Sequence, residues 1–180
     1  VQTTSTNDKT TLVSYSVNVS CQNLPPPDQD SSTTTTVDPM VTCYEKSGVG
    51  GAQLEFVGQT EIVGDSLDPE FGEEFLVSFD PQGQQEFGFS TYNVEDAEAI
   101  SEKDRIGSAT IRLRDVIGDN LPLVSPTVEY HLMIGNAPVN EGTAVIVLRA
   151  TRVNDNVTAA KTEAVTKNNN ISGKFQLRIR

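Results

Sequence analysis

The sequence predicts an all-β fold, an eight-stranded antiparallel β-sandwich, and three observations lead to this prediction. Short runs rich in Val, Thr, Phe and Tyr recur along the chain, Gly, Pro, Asp and Asn separate them, and no long stretch has the period of a helix. Evenly spaced short strands of this kind are typical of two sheets that each bury one face against the other. One such domain accounts for most of the 180 residues.

The first strand is the clearest one. Apolar residues alternate with Ser and Asn through 13–21, which is the period of a strand with one buried face. A polar loop follows, with three consecutive prolines, two aspartates and a run of Ser and Thr that ends at Thr36. The remaining predicted strands cover 37–44, 54–63, 74–79, 86–92, 108–116, 127–134 and 143–153. A short turn of helix is expected at 114–117.

The two ends of the chain differ from the body in composition. We expect residues 1–10 to be a disordered N-terminal segment and residues 11–153 to form the domain. Residues 154–170 are polar and read as a linker. Beyond them Phe175, Leu177 and Ile179 alternate with Gln and Arg, as the apolar residues of the first strand do. Residues 154–180 are therefore predicted to be a linker and the first strand of a truncated second domain.

The charge of the body excludes one class of partner. Residues 1–152 carry 8 basic and 23 acidic side chains, a net charge of −15, whereas residues 153–180 carry 5 and 2, a net charge of +3. An acidic body repels nucleic acid and anionic lipid alike, so either would need a bridging cation or a local basic patch. The body has no such basic run, and we expect no nucleic-acid partner.

Membrane spans and disulfide scaffolds find no support in the sequence. No stretch approaches the roughly 18 consecutive apolar residues of a transmembrane helix, so a soluble domain is expected. Cys21 and Cys43 are too few for a disulfide-stapled fold, and buried free thiols are favoured over a bridge. Sequons at Asn18, Asn156 and Asn170 suggest secretion, but a chain this rich in Ser and Thr contains such triplets by chance.

Three motifs follow one another along the predicted strands. In the first, residues 17–24 form a strand whose loop closes at Val37-Asp-Pro-Met-Val41. The second begins at Thr60 and continues through Leu67-Asp-Pro-Glu-Phe71 to Glu74 and Phe75. The third is Tyr92-Asn-Val-Glu95, followed by Asp104-Arg-Ile-Gly107. Each motif alone is weak, but their order is specific.

In this order the motifs resemble the C2 domain, whose signatures include Ser-Asp-Pro-Tyr-Val and Leu-Asn-Pro-x-Trp-x-Glu-x-Phe. The sequence looks most like the first C2 domain of copines, which have a similarly long third loop and a second C2 domain downstream. The resemblance implies type II topology, because the first strand leads directly into the first loop. It also implies a non-enzymatic, calcium-regulated module that is cytoplasmic and binds anionic phospholipid membranes when calcium rises.

The resemblance further implies a Ca²⁺ site made by oxygen ligands from two loops. The expected ligands are Asp28, with Asp30 as a nearby substitute, Asp38, Asn93, Glu95 and Asp104. The family places Asp-x-Asp where this chain has Asn93-Val-Glu95, so one charge is lost and one carboxylate is moved outward. Affinity is therefore expected at the weak end of the sensor range, about 10⁻⁵ M, or beyond it.

The acidic neighbours of these residues leave two interpretations open. Asp96, Glu98 and Glu102 can replace the lost charge, or they can form a solvated acidic loop without a metal. Membrane contact is expected at the apolar residues of the loop tips, Val37, Ala99 and Ile100, which are few enough to make docking shallow. Residues 54–63 contain no Lys or Arg that would bind a phosphoinositide.

Catalysis has no motif to support it. His131 is the only histidine, and the alternation of its neighbours Tyr130, Leu132 and Ile134 predicts that it lies on the outer face of a strand.

Two alternatives to calcium-dependent membrane binding remain. One is a calcium-independent C2 scaffold for a protein partner, and the other is a secreted adhesion-type β-sandwich.

Overall fold

A computed structural model describes residues 12–26, 37–47 and 53–153 of the chain. The expected disordered segment at 1–10, the linker and second-domain strand at 154–180, and two of the expected ligands, Asp28 and Asp30, lie outside these ranges. Among the described residues, no helix is long and apolar enough to cross a membrane.

The regular secondary structure of the described residues is almost entirely β. Ten strands follow one another, and only one short α-helix and two 3₁₀ turns interrupt them. The strands are β1 (Val13–Gln22), β2 (Pro39–Ser47), β3 (Gln53–Gln59), β4 (Phe75–Phe79), β5 (Glu86–Asn93), β6 (Arg105–Arg112), β7 (Val128–His131), β8 (Met133–Ile134), β9 (Ala137–Pro138) and β10 (Val145–Arg152). The helix α1 is Leu113–Ile117, and the 3₁₀ turns are Glu102–Asp104 and Val139–Gly142.

Two antiparallel sheets form a sandwich. One has four strands in the order β4-β1-β10-β7, and the other has six in the order β3-β2-β5-β6-β8-β9. The first strand lies in the centre of its sheet, between β4 and the last strand β10. The predicted all-β antiparallel sandwich is confirmed.

The structure has two more strands than predicted: β9 was not expected, and one predicted strand is divided in two because it changes sheets. Residues 127–134 were expected to be continuous, but β7 pairs with β10 in one sheet and β8 pairs with β6 in the other. Leu132, fully buried between them, donates its N–H to Ala144 O at 3.0 Å and accepts the Val139 N–H at 2.8 Å. Ile134, expected to face inward, is therefore exposed beyond the switch.

The core follows the alternation of β1. Tyr15, Val17, Val19 and Cys21 are each at most 1% exposed, so the predicted buried face is confirmed. Cys21 and Cys43 are buried free thiols, as expected. Burial raises the pKa of Cys21 to about 12, although its contact with the Thr91 hydroxyl lowers it.

The predicted strand 108–116 is wrong in its second half. Strand β6 runs from Arg105 to Arg112, and α1 then begins at Leu113. Leu113, Val116 and Ile117 have the i, i+3, i+4 spacing of one helix face, and all three are buried. The short helical turn expected at 114–117 is confirmed.

Candidate functional site

One end of the six-stranded sheet gathers several of the predicted ligands, and we call it the loop pole. Asp38 immediately precedes β2, and Asn93 is the last residue of β5. Because β2 and β5 are antiparallel neighbours with Pro39 opposite Asn93, Asp38 and Asn93 lie at the same end of the sheet. Asp104 immediately precedes β6, whose residue Arg105 lies opposite Tyr92, so it belongs to the same pole.

Asp38 and Asn93 are joined directly. The backbone N–H of Asp38 donates to Asn93 Oδ1 at 2.9 Å, and the Val94 N–H donates to the carbonyl of Asp38 at 3.0 Å. The first and third loops are thereby held together at their bases. The Asn93 carbonyl has one lone pair engaged in this contact and a second one left for another donor or a cation.

Asp65 also belongs to the loop pole, and the sequence reasoning missed it. Its N–H donates to Asp38 Oδ1 at 2.8 Å, and the next residue, Ser66, donates to the carbonyl of Val37 at 2.9 Å. Asp65 has a φ of 56°, in the left-handed region that Asp tolerates better than most residues. Gly64-Asp65 is a turn signal, but only the folded chain brings it to Asp38.

The acidic third loop neutralises part of its own charge. Asp96 Oδ1 accepts the Glu98 N–H at 2.9 Å, which closes a tight turn. Glu102 forms an ion pair with Arg105 at 3.1 Å. Glu95 is exposed, and Asp104 is half-buried at the end of its 3₁₀ turn. These contacts reduce the number of acidic side chains that are free to receive a cation.

The described residues contain no complete set of metal ligands. Within 12–26, 37–47 and 53–153, no three His, Cys, Asp or Glu side chains lie close enough together to hold a metal ion. The donors at the loop pole are oxygens, which suits a hard cation such as Ca²⁺, but that ion needs six to eight of them. Asp38, Asn93 and Asp104 would contribute some of these, and the expected ligands Asp28 and Asp30 lie outside the described ranges.

The expected membrane-contacting residues differ in exposure. Val37 is only 4% exposed and belongs to the core, so in this conformation its side chain presents no surface to a membrane. Ile100 packs against a small cluster of Met40, Tyr92 and Val94 beneath the third loop. Ala99 alone of the three is exposed. The part of the loop pole that the structure describes therefore offers little apolar surface.

The second motif joins the loop after β3 to the residues that precede β4 of the four-stranded sheet. The Glu61 carboxylate accepts the backbone N–H groups of Gly72 and Glu73, at 2.5 and 3.1 Å. Burial by itself would raise the pKa of Glu61, but these hydrogen bonds outweigh it and hold the pKa below its ordinary value. Asp68 Oδ1 accepts the Asn23 N–H at 2.7 Å, which ties this motif to the end of β1.

His131 is exposed on β7, in agreement with the predicted outer face.

The sequence and the fold are both similar to those of known proteins. A family model described as the C2 domain matches residues 15–129. The chain belongs to the C2 domain family. The match covers the strands that carry the loop pole, from β1 to the start of β7.

Several solved structures superpose on the chain. A C2 domain of plant Extended Synaptotagmin 1 has 20% identity and a TM-score of 0.53, and the match covers 79% of this chain and 97% of that one. The calcium-bound pair of C2 domains of Extended-Synaptotagmin 2 has 17% identity, a TM-score of 0.51, and coverages of 78% and 45%. Human GIVD cytosolic phospholipase A2 has 17% identity and a TM-score of 0.53, with coverages of 79% and 16%.

At these identities the superpositions show the fold alone. The last match spans a small part of a longer chain, so the phospholipase named there is a property of that protein. None of these findings supports the expected nearness to copines over other C2 domains.

Proposed function

We propose that this C2 domain is a calcium-responsive module of a copine-like protein that docks onto anionic phospholipid membranes. It is a binding module and not an enzyme, and it is cytoplasmic until calcium rises. The observation that carries the proposal is the convergence of Asp38, Asn93 and Asp104 at one end of the sandwich. The existence of a calcium-bound C2 neighbour adds to it.

Electrostatics supplies the switch. Residues 1–152 have a net charge of −15, which repels an anionic lipid surface in the absence of a cation. A bound Ca²⁺ neutralises the oxygen ligands of the loop pole and leaves coordination positions open to a lipid phosphate oxygen. A surface that repels the membrane then attracts it.

The affinity for calcium is low in this proposal. Asn93 contributes a neutral carbonyl that already accepts the Asp38 N–H, and one Asp38 oxygen already accepts the Asp65 N–H. Ca²⁺ therefore competes with two backbone N–H donors for these oxygens. The site also has one carboxylate fewer than the family pattern. Membrane contact is shallow, since Ala99 is exposed while Ile100 already packs against its own domain.

Liposome co-sedimentation against calcium concentration tests the proposal. Vesicles of phosphatidylserine and phosphatidylcholine should pull down the chain at about 0.1 to 1 mM Ca²⁺ and release it in EDTA. Asp38→Asn and Asp104→Asn should each abolish this response, whereas Asp119→Asn, the same change at an exposed position after α1, should leave it intact. Equal sedimentation with and without calcium, or equal responses in all three variants, would refute the proposal.

A calcium-independent scaffold for a protein partner is the second candidate. The hydrogen bond between Asp38 and Asn93 favours it, because it holds the first and third loops together without any ion. Thermal melting separates the two functions, since a ligand that binds only the folded state raises its melting temperature. A rise in millimolar Ca²⁺ supports the calcium-responsive module, and an unchanged melting temperature supports the scaffold.

A further inference from the structure

The edge strand β3 has the longest run of exposed residues of any strand in the described sandwich. Of its seven residues, four in succession from Gln53 to Phe56 are exposed on both faces of the sheet. Leu54 and Phe56 are 63% and 54% exposed, and they lie on the same face. The Phe56 ring rests against Tyr44 of β2, with 5.2 Å between ring centroids, so this apolar surface is fixed in place.

An open edge of this kind is unusual in a folded protein. Natural edge strands are commonly protected by several charges, a proline, or very short length. Strand β9, the opposite edge of the same sheet, has two residues and includes Pro138. Strand β3 has no proline and a single charge, Glu55, and among the described residues no strand pairs with its outer edge.

Glu55 adds an electrostatic reason for a further strand. It lies directly opposite Glu45 of β2, and like charges in opposite positions of neighbouring strands destabilise the pair. Glu45 accepts a hydrogen bond from Gln85 at 3.0 Å, and neither glutamate takes part in an ion pair within the described ranges. A cation placed on the open side of Glu55 would relieve this repulsion.

We propose that the sequence segment 175–180 of the same chain adds to the outer edge of β3 as a further strand, instead of beginning a second domain. Its apolar residues Phe175, Leu177 and Ile179 alternate with Gln176, Arg178 and Arg180. When Arg178 lies opposite Glu55, Leu177 and Ile179 lie opposite Leu54 and Phe56, whether the new strand is parallel or antiparallel. In this register the apolar side chains of the two strands face each other, and the arginine faces the glutamate.

Reach and net charge both permit this docking. The 21 residues 154–174 join the segment to Val153 and can span up to about 70 Å, which exceeds the dimensions of a domain of this size. Residues 153–180 carry a net charge of +3 against −15 on residues 1–152. The proposal is independent of calcium and of membrane binding.

Hydrogen–deuterium exchange on the 180-residue chain tests the proposal, read at those β3 amides that do not bond to β2. These amides should exchange at least about tenfold more slowly in the wild-type chain than in Leu177→Asp. Val165→Asp, the same kind of change within the linking residues, should retain the protection. Equal urea midpoints of the two variants would show that neither change unfolds the sandwich.

Charge reversal provides the second arm. Arg178→Glu and Glu55→Lys should each lose the β3 protection, and the double variant should regain it. Equal exchange in the wild type and Leu177→Asp would overturn the proposal. So would protection that increases with protein concentration, because the strand would then come from a second copy of the chain or another partner.

Discussion

Replacing Asn93 by aspartate is the sharpest perturbation of the loop pole. The carboxylate of Asn93→Asp still accepts the Asp38 N–H, so the contact that joins the two loops is retained. What changes is one unit of negative charge next to the proposed cation. At about 4 Å in a water-like dielectric, a unit charge interacts with a divalent ion by about 2 kcal/mol. Calcium affinity should therefore increase about thirtyfold.

The added negative charge should lower the stability of the calcium-free protein. The new carboxylate lies close to the carboxylate of Asp38, and their repulsion costs roughly 1 kcal/mol, which lowers the melting temperature by about 2 to 4 °C. Melting curves and calorimetric titrations over a calcium series measure both effects. Asn120→Asp, an exposed asparagine in the turn after α1, is the matched control and should change neither. If Asn93→Asp and wild type have the same calcium midpoint, the ligand role of this position is refuted.

Three further predictions concern the fold. Gly107→Ala should lower the free energy of unfolding in urea by about 1 to 3 kcal/mol, because the new methyl would lie 2.8 Å from a Val139 carbon. Gly88→Ala, whose nearest neighbour is at 3.7 Å, should lower it by less, and equal losses would contradict this. Burial raises the pKa of Cys21 to about 12, so a thiol reagent at about pH 8 should label it only in denaturant, and rapid labelling of the native chain would count against the buried core. Hydrogen bonds to Glu61 lower its pKa from the ordinary 4.5, so the stabilisation that they give is present at neutral pH and is lost as the pH falls through the folded pKa. The gap in urea midpoint between wild type and Glu61→Gln should narrow as the pH falls below 4.5, and a constant gap would exclude this role.

The sequence was most informative where burial is one-sided. Strand β1 alternates because one of its faces packs on the opposite sheet, and its expected bounds differ from the observed ones by one residue. The sheet switch at Leu132 had no such signal. A strand that continues and a strand that leaves for the other sheet share the same local alternation, and only the pairing partners distinguish them.

The candidate site was predictable in its location but not in its contacts. The order of motifs implied that Asp38, Asn93 and Asp104 share one end of the sandwich, and the strand pairing places them at the same end of the six-stranded sheet, whereas their role as ligands stays a prediction. Asp65 was missed because its contact with Asp38 depends on how the loop after β3 folds back. Val37 was expected at a surface because it follows a polar loop, yet it lies in the core, since a single residue at a strand entrance carries no periodic signal.

Amide chemical shifts of the ¹⁵N-labelled chain during a CaCl₂ titration report calcium binding at the loop pole residue by residue. We predict saturable shifts at Asp38, Asn93 and Asp104, with a dissociation constant of about 10⁻⁵ M or weaker, and none at Asp119 beyond α1. Unchanged spectra at millimolar calcium, or shifts confined to residues away from the loop pole, would contradict it.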